Sequence, residues 1–344
     1  DCRKKKSHNV EKDKSGTSSS LKGKDRKSKK KPIVHEERKI ADWSPGALKL
    51  ADLFMQKYSE MGESGIKAEF KASIETYKSP KSSDIAFKAN RDKNRFVEPD
   101  CLDGTRVSVS DPPDSAYINA NWLYNQAKSS RQYILTQAPM ASTTNDFWKM
   151  VFTHKAMCIV MLCNLKEDGK DVCPEFWPTK HSKNYGSIQI IHKKSDEAGK
   201  QIEYTLEVLP EGCSNSHIVS LIQYKEWVGT FTQSIARNLI KILRLISTLE
   251  IIAPGPIVLF DDHSGLGRGS VLAISDFLSS AIYKGDTSFG LMEAVKWSRD
   301  CRHNMVRTED DYLALIKTLF EFLFRSMPDK YRVQYEKICG KCED

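Results

Sequence analysis

An α/β fold is predicted by two features of this 344-residue chain. The first is Ile257–Phe260, a short unbroken apolar run that reads as a buried strand. Gly265, Gly267 and Gly269 interrupt the chain after it, and Val271, Leu272, Ile274, Phe277 and Leu278 then recur at helical spacing. The second is a succession of strand-like stretches followed by helix-like ones. Ser187–Ile191, Ile202–Val208 and His217–Tyr224 read as antiparallel strands, and residues 235–252, 271–283, 288–301 and 308–326 as helices.

Taken in order, residues 1–40 are rich in Lys, Ser and Gly and almost free of apolar side chains, so they are expected to be a disordered basic tail. Its first 31 residues hold 13 Lys/Arg against 4 Asp/Glu, a net +9, whereas the rest, 40 against 41, is −1. The total of +8 therefore belongs to the tail. A nucleic-acid-binding domain carries its charge on a folded face, so that class is set aside. A solvated linker is the favoured reading of the tail; a polybasic contact with an anionic membrane or a nuclear-import signal are its alternatives.

Order is expected from residue 41 to 330, with 331–344 a C-terminal tail. Ser44-Pro45 fits a helix N-cap and first turn, ahead of a stripe of Leu48, Leu50, Leu53, Phe54 and Tyr58. A second helix is predicted from Ser64, carrying Ile66, Phe70, Ile74 and Tyr77, and a strand over Arg106–Val109. Thr308-x-x-Asp311 has the spacing of a capping box. Nine cysteines, several inside apolar runs such as that holding Cys158 and Cys163, point to reduced core thiols and a cytoplasmic setting. Cys339-Gly-Lys-Cys342 lacks partners for zinc. No apolar run approaches the ~18 residues of a membrane span.

The stretch Asp261–Gly269 is the chemical centre. A strand, a glycine-rich turn and a helix start aim successive N–H groups at one point with a helix dipole behind them. Arg268 adds a planar fork of donors suited to a phosphate or carboxylate. His263 beside two aspartates invites a metal reading, but consecutive residues in a tight turn rarely converge on one ion. No cofactor or metal is expected.

Gly265, Gly267 and Arg268 make this stretch resemble the phosphate-binding loop His-Cys-x-x-Gly-x-Gly-Arg-Ser/Thr of the protein tyrosine phosphatases. Other segments match that family in order: Lys93-Asn-Arg-Phe96, Tyr117-Ile-Asn-Ala-Asn121, Tyr133-Ile-Leu-Thr-Gln-Ala-Pro139, Asp146-Phe-Trp148 and Cys173-x-x-Phe-Trp-Pro178. The resemblance spans about residues 90 to 313. It implies the protein tyrosine phosphatase fold, a large twisted mixed sheet flanked by helices, with the loop at a strand's carboxyl end.

Position by position, the resemblance puts Asp261 where the family has its loop His, Asp262 at the nucleophilic Cys and Gly269 at the Ser/Thr. The general-acid loop Trp-Pro-Asp aligns with Trp227-Val228-Gly229, leaving no acid, and Glu226 lies on the wrong side of Trp227. The two water-positioning glutamines are Arg307 and Asp311. Every chemical step lacks its group, so the expectation is a domain that is not an enzyme. Asp262 is expected to accept the loop N–H groups and pair with Arg268.

What the resemblance leaves is binding equipment. Phe96 offers the ring face, Glu98 the acid that holds a peptide backbone, Ser264, Gly265, Leu266, Gly267 and Arg268 the cradle, and Glu167 the acid that orients Arg268. Arg307 is a replacement phosphate ligand, or else a surface arginine or a partner for Asp262. The leading expectation is a pseudophosphatase that binds a tyrosine-phosphorylated protein, such as a kinase activation loop, and shields or sequesters it. The inactive phosphatase-like proteins of nematode eggs, which hold a kinase at the cell cortex, are similar in this respect. A plugged scaffold domain is the alternative, and a weak phosphatase using Asp262 a remote one.

Overall fold

Strand β10, Ile257–Phe260, lies near the middle of an eight-stranded sheet because its apolar side chains have two faces to fill. Ile257 and Leu259 enter one core, Val258 and Phe260 the other. In this computed structural model the residues described are 42–80, 83–109, 116–124, 131–288 and 290–341; the predicted tail over 1–40 lies outside them, as does Cys342.

The sheet is built from β1 (Ala120–Tyr124), β2 (Gln132–Thr136), β3 (Cys158–Met161), β6 (Ser182–Tyr185), β7 (Ile188–Ala198), β8 (Gln201–Pro210), β9 (His217–Tyr224) and β10; β4 (Lys166–Glu167) and β5 (Lys170–Asp171) form a separate small hairpin. The order is β1-β2-β10-β3-β9-β8-β7-β6. Strands β2, β10, β3 and β9 run parallel, and the flanking pairs are antiparallel. Parallel strands covered on both faces read as continuous hydrophobic runs, which is why β3 and β10 show no alternation in sequence.

On one face lie α1 (Pro45–Phe70), α4 (Gln233–Ile252), α5 (Arg268–Lys284), α6 (Leu291–Cys301), α7 (Glu309–Ser326) and α8 (Pro328–Cys339); α3 (Thr144–Thr153) covers the other, and a short α2 spans Ile85–Ala89. Ser44 caps α1 as expected, accepting from the Ala47 N–H at 3.1 Å. The predicted second helix is continuous with the first across a break at Gly62, whose φ of +68° is non-helical. Thr308 and Asp311 form the predicted capping box of α7. The cysteines seen at 101, 158, 163 and 173 are buried free thiols, and Cys301 is buried as well.

Three expectations are corrected. Arg106–Val109 is not a strand: it makes a single bridge, Arg106 to Asn121, before the chain leaves the sheet. Of the expected α1 stripe, Tyr58 is buried and Leu48, Leu50 and Phe54 pack partly buried against the core, but Leu53 is exposed: the fully buried line is Ala47, Ala51, Met55 and Tyr58, at three- and four-residue spacing, and position 53 falls off that face. Residues 331–339 are not a tail. They belong to α8, which buries Tyr331, Tyr335 and Ile338 against the core. The aromatic stripe in a polar context hid that face from the sequence reading.

Tyr335 stacks on Phe324 with ring centroids 4.3 Å apart and donates its hydroxyl to the buried Glu321 carboxylate. Tyr335→Ala is therefore expected to lower unfolding stability by roughly 3–5 kcal/mol in denaturant titration, the range for losing a buried aromatic side chain.

Candidate functional site

The chain leaves the carboxyl end of β10 at Phe260, turns through residues 261–267 and enters α5 at Arg268. Within the turn, Ser264 and Gly265 both have positive φ, +60° and +74°. A Cβ on Gly265 would also meet Leu135 Cδ1 at 3.1 Å, so this position requires glycine.

The centre of the turn holds the Asp261 carboxylate, which is 0% exposed. Its Oδ1 accepts from the N–H of His263 at 2.8 Å and of Gly265 at 2.7 Å. Its Oδ2 accepts from Gly267 at 3.2 Å and Gly269 at 2.9 Å. Four loop donors thus converge on one internal anion. The expectation that Asp262 would accept them is corrected: the residue one position earlier does so. A side chain at 261, the first residue after the strand, sits under the turn and reaches its N–H groups from below.

Asp262 is instead half-exposed, with Oδ1 3.5 Å from Arg268 Nε. Burial and then the neighbouring Asp261 push its pKa up to about 6, against the pull of Arg268. Arg268 is held chiefly by Glu167, through Nη1–Oε1 and Nη2–Oε2 bonds of 2.8 Å each, and donates to the Leu162 carbonyl at 3.0 Å. The pairing of Glu167 with Arg268 is as expected, and its two-pronged geometry fixes the guanidinium plane.

Beside the loop is a cleft of 410 Å³, lined by Glu75, Phe96, Glu98, His263, Leu266 and Arg307 among others. Phe96 does not present an empty face. The His263 imidazole stacks on it at 4.1 Å between centroids, 29° from parallel. Burial and the nearby Arg307 hold the His263 pKa below its ordinary value. Arg307 and Glu98 lie exposed at the rim, and Arg307 makes no ion pair with Asp262. Leu266 is buried, and its carbonyl accepts from Val306 N–H.

The remaining positions stand apart from the loop centre. Trp227 is buried against Phe231, Gly229 is exposed with φ +72°, and Glu226 pairs with Lys200 at 2.9 Å on the outer surface. Asp311 is spent on capping α7, although its carboxylate lies 3.3 Å from where a Gly267 Cβ would be; burial raises its pKa. Gly269 supplies only its N–H.

Two loop supports escaped the sequence reading. Arg302, fully buried, donates to the Ser264 carbonyl at 3.1 Å, to Asn121 and Asn119 at 2.7 Å each, and to Asp100 at 3.2 Å. Ser270 donates to the Leu266 and Gly267 carbonyls and accepts from Val306 N–H at 3.1 Å. The paired asparagines of Tyr117–Asn121 were the available signal for a buried cation. The Phe96 loop is fixed similarly: Gln137 accepts from Arg95 N–H and donates to the Lys93 carbonyl, each at 2.9 Å. Asn94 Oδ1 accepts from Tyr117 at 2.7 Å and from Asn119 at 3.1 Å.

A mixed sheet with a glycine-rich turn at its central strand's carboxyl end, an arginine fixed by a glutamate, and an aromatic slot alongside define a phosphate-loop class of α/β domain. The sequence profile of protein-tyrosine phosphatases matches residues 90–321, and the chain belongs to that family. It is 29% identical over 247 residues to receptor-type tyrosine-protein phosphatase epsilon of Homo sapiens, covering 68% of this chain and 34% of that protein. It is 29% identical over 266 residues to receptor-type tyrosine-protein phosphatase zeta of Rattus norvegicus, covering 72% and 11%. The chain thus spans about a third or less of the length of these relatives. A solved structure described as the structural basis of PTPN18 fingerprint on distinct HER2 tyrosine phosphorylation sites superposes with a TM-score of 0.66 at 25% identity, covering 81% of this chain and 99% of that one. Among the described residues no helix is long and apolar enough to cross a membrane.

Two stability outcomes follow. Asp261→Ala strands four donors and is expected to cost about 3 kcal/mol or more in denaturant unfolding. Asp262 has a folded pKa above its unfolded value of about 3.9, so the folded state binds more protons between those values. Stability should fall as pH rises from about 4 to about 6, and Asp262→Asn should flatten that segment of the pH profile.

Proposed function

We propose that this domain is a non-hydrolytic member of its family that engages a protein partner through the cleft beside the loop. The observation that carries the reading is the Asp261 carboxylate, which holds the N–H groups of His263, Gly265, Gly267 and Gly269. An incoming phosphoryl group needs such donors where charge develops, and it would also face Asp262. A carboxylate at 262 takes the place of a thiolate, no acid stands at Gly229 to protonate a leaving oxygen, and Glu226, the acid beside Trp227 in sequence, pairs with Lys200. The fold and the Phe96 loop are nevertheless kept rigid by the Gln137 and Asn94 bonds, which supports retention of a binding surface.

A second reading keeps the phosphate. Arg307, exposed at the cleft without an ion pair among the described residues, favours a partner bearing a phosphorylated tyrosine, such as a kinase activation loop, shielded in the cytoplasm or at the cell cortex.

The test is turnover. Purified domain should release no phosphate above background from p-nitrophenyl phosphate or a phosphotyrosine peptide, and Asp262→Cys alone should not restore activity. Turnover in the wild type that disappears in Asp262→Ala would overturn the reading.

A further inference from the structure

The ring slot at Phe96 is occupied by the protein's own His263, and three observations say how. The imidazole lies on Phe96 at 4.1 Å and 29°, the geometry of an offset-stacked aromatic pair. Among the described residues, no hydrogen bond or ion pair holds its ring nitrogens; the loop contacts of His263 are made by its backbone, N–H to Asp261 and C=O to Leu266. The side chain is half-exposed, and it hangs from a loop that Asp261 and Arg302 fix independently. The ring can therefore swing out without disturbing the loop, at the loss of one stacking contact.

The charges around the slot restrict what replaces it. Glu75 and Glu98 are both exposed cleft residues without an ion pair among the described residues, and Asp262 adds a third carboxylate nearby; Arg307 lines the same cleft, also without an ion pair among the described residues. Arg299, also in the wall, is committed to the carbonyls of Ile74, Met305 and Val306. The open rim is thus net acidic, and four of the loop N–H donors that would offset a dianion are held by Asp261, while Arg268 is shared between Glu167 and Asp262.

We infer that His263 is a built-in competitor for the Phe96 slot, and that the ligand displacing it is an unphosphorylated tyrosine side chain flanked by a basic residue in a protein partner. This rests on the non-hydrolytic, partner-binding reading above and names the ligand of the same cleft. The tyrosine ring takes over the stack on Phe96, and the basic neighbour meets Glu98 and Glu75. Because a ring stacks on Phe96 both before and after the exchange, stacking energy changes little and selectivity comes from the flanking charge.

The experiment is fluorescence anisotropy with a labelled short peptide carrying Lys-Tyr, compared with its phosphotyrosine, Phe-for-Tyr, Ala-for-Tyr and Glu-for-Lys versions. Wild type should bind Lys-Tyr more tightly than the phosphorylated, Ala and Glu versions. His263→Ala, which frees the slot, should tighten Lys-Tyr binding about 3- to 10-fold, and Phe96→Ala should abolish that gain. Thermal unfolding of both variants confirms folding, and if Phe96→Ala fails to fold, Phe96→Leu serves. Tighter binding of the phosphotyrosine version, unchanged affinity in His263→Ala, or no binding of Lys-Tyr by either protein would each overturn the inference. Phosphate release measured on the same phosphotyrosine samples reports on hydrolysis alone, so failure of that reading is told apart from failure of this one.

Discussion

A carboxylate buried beneath four converging N–H donors organises the loop end of this domain. Asp261 follows directly on the strand that both cores grip, so its backbone cannot drift, and the turn closes over it. Charge-assisted bonds in a low-dielectric site are stronger than the same bonds in water, and each shortens the list of conformations open to residues 263–269. The strained φ at Ser264 is sustained by this anchoring and by Arg302 on the Ser264 carbonyl. An external anion commonly organises loops of this shape; here part of that organisation is internal and permanent.

The consequence reaches the cleft. Because the loop does not depend on a ligand for its form, His263 can serve as a side chain on a fixed base, and Phe96 can be held at a constant height by Gln137 from the neighbouring segment and by Asn94 two residues before it. The Arg268–Glu167 pair completes the set: it would be poised for a phosphate in position, yet Asp262 stands beside it with its own charge. Rigid support with altered chemistry is what the proposed non-hydrolytic reading rests on.

Much of the fold was legible because its signals are local or strongly periodic. The apolar runs of β3, β9 and β10, the Ser44 and Thr308 caps, and the glycines around Arg268 each state their conformation within a few residues. What misled was local too. Arg106–Val109 has β-branched residues but only one bridging partner, and α8 wears a polar sequence around three deeply buried side chains. Pairing and burial depend on neighbours far along the chain, which propensity does not contain.

The same division holds at the site. By itself the sequence determined which chemical groups are present: two adjacent aspartates, the arginine with its glutamate, the phenylalanine, and the glycine at 229. Only the tertiary structure decided which aspartate enters the cradle, that a histidine side chain lies on the phenylalanine, and that a buried arginine from residue 302 props the turn. The physical reason is directional. A side chain's type is written at its position, but whether it points under a turn or over it is set by the backbone angles of that turn and by the elements packed against it.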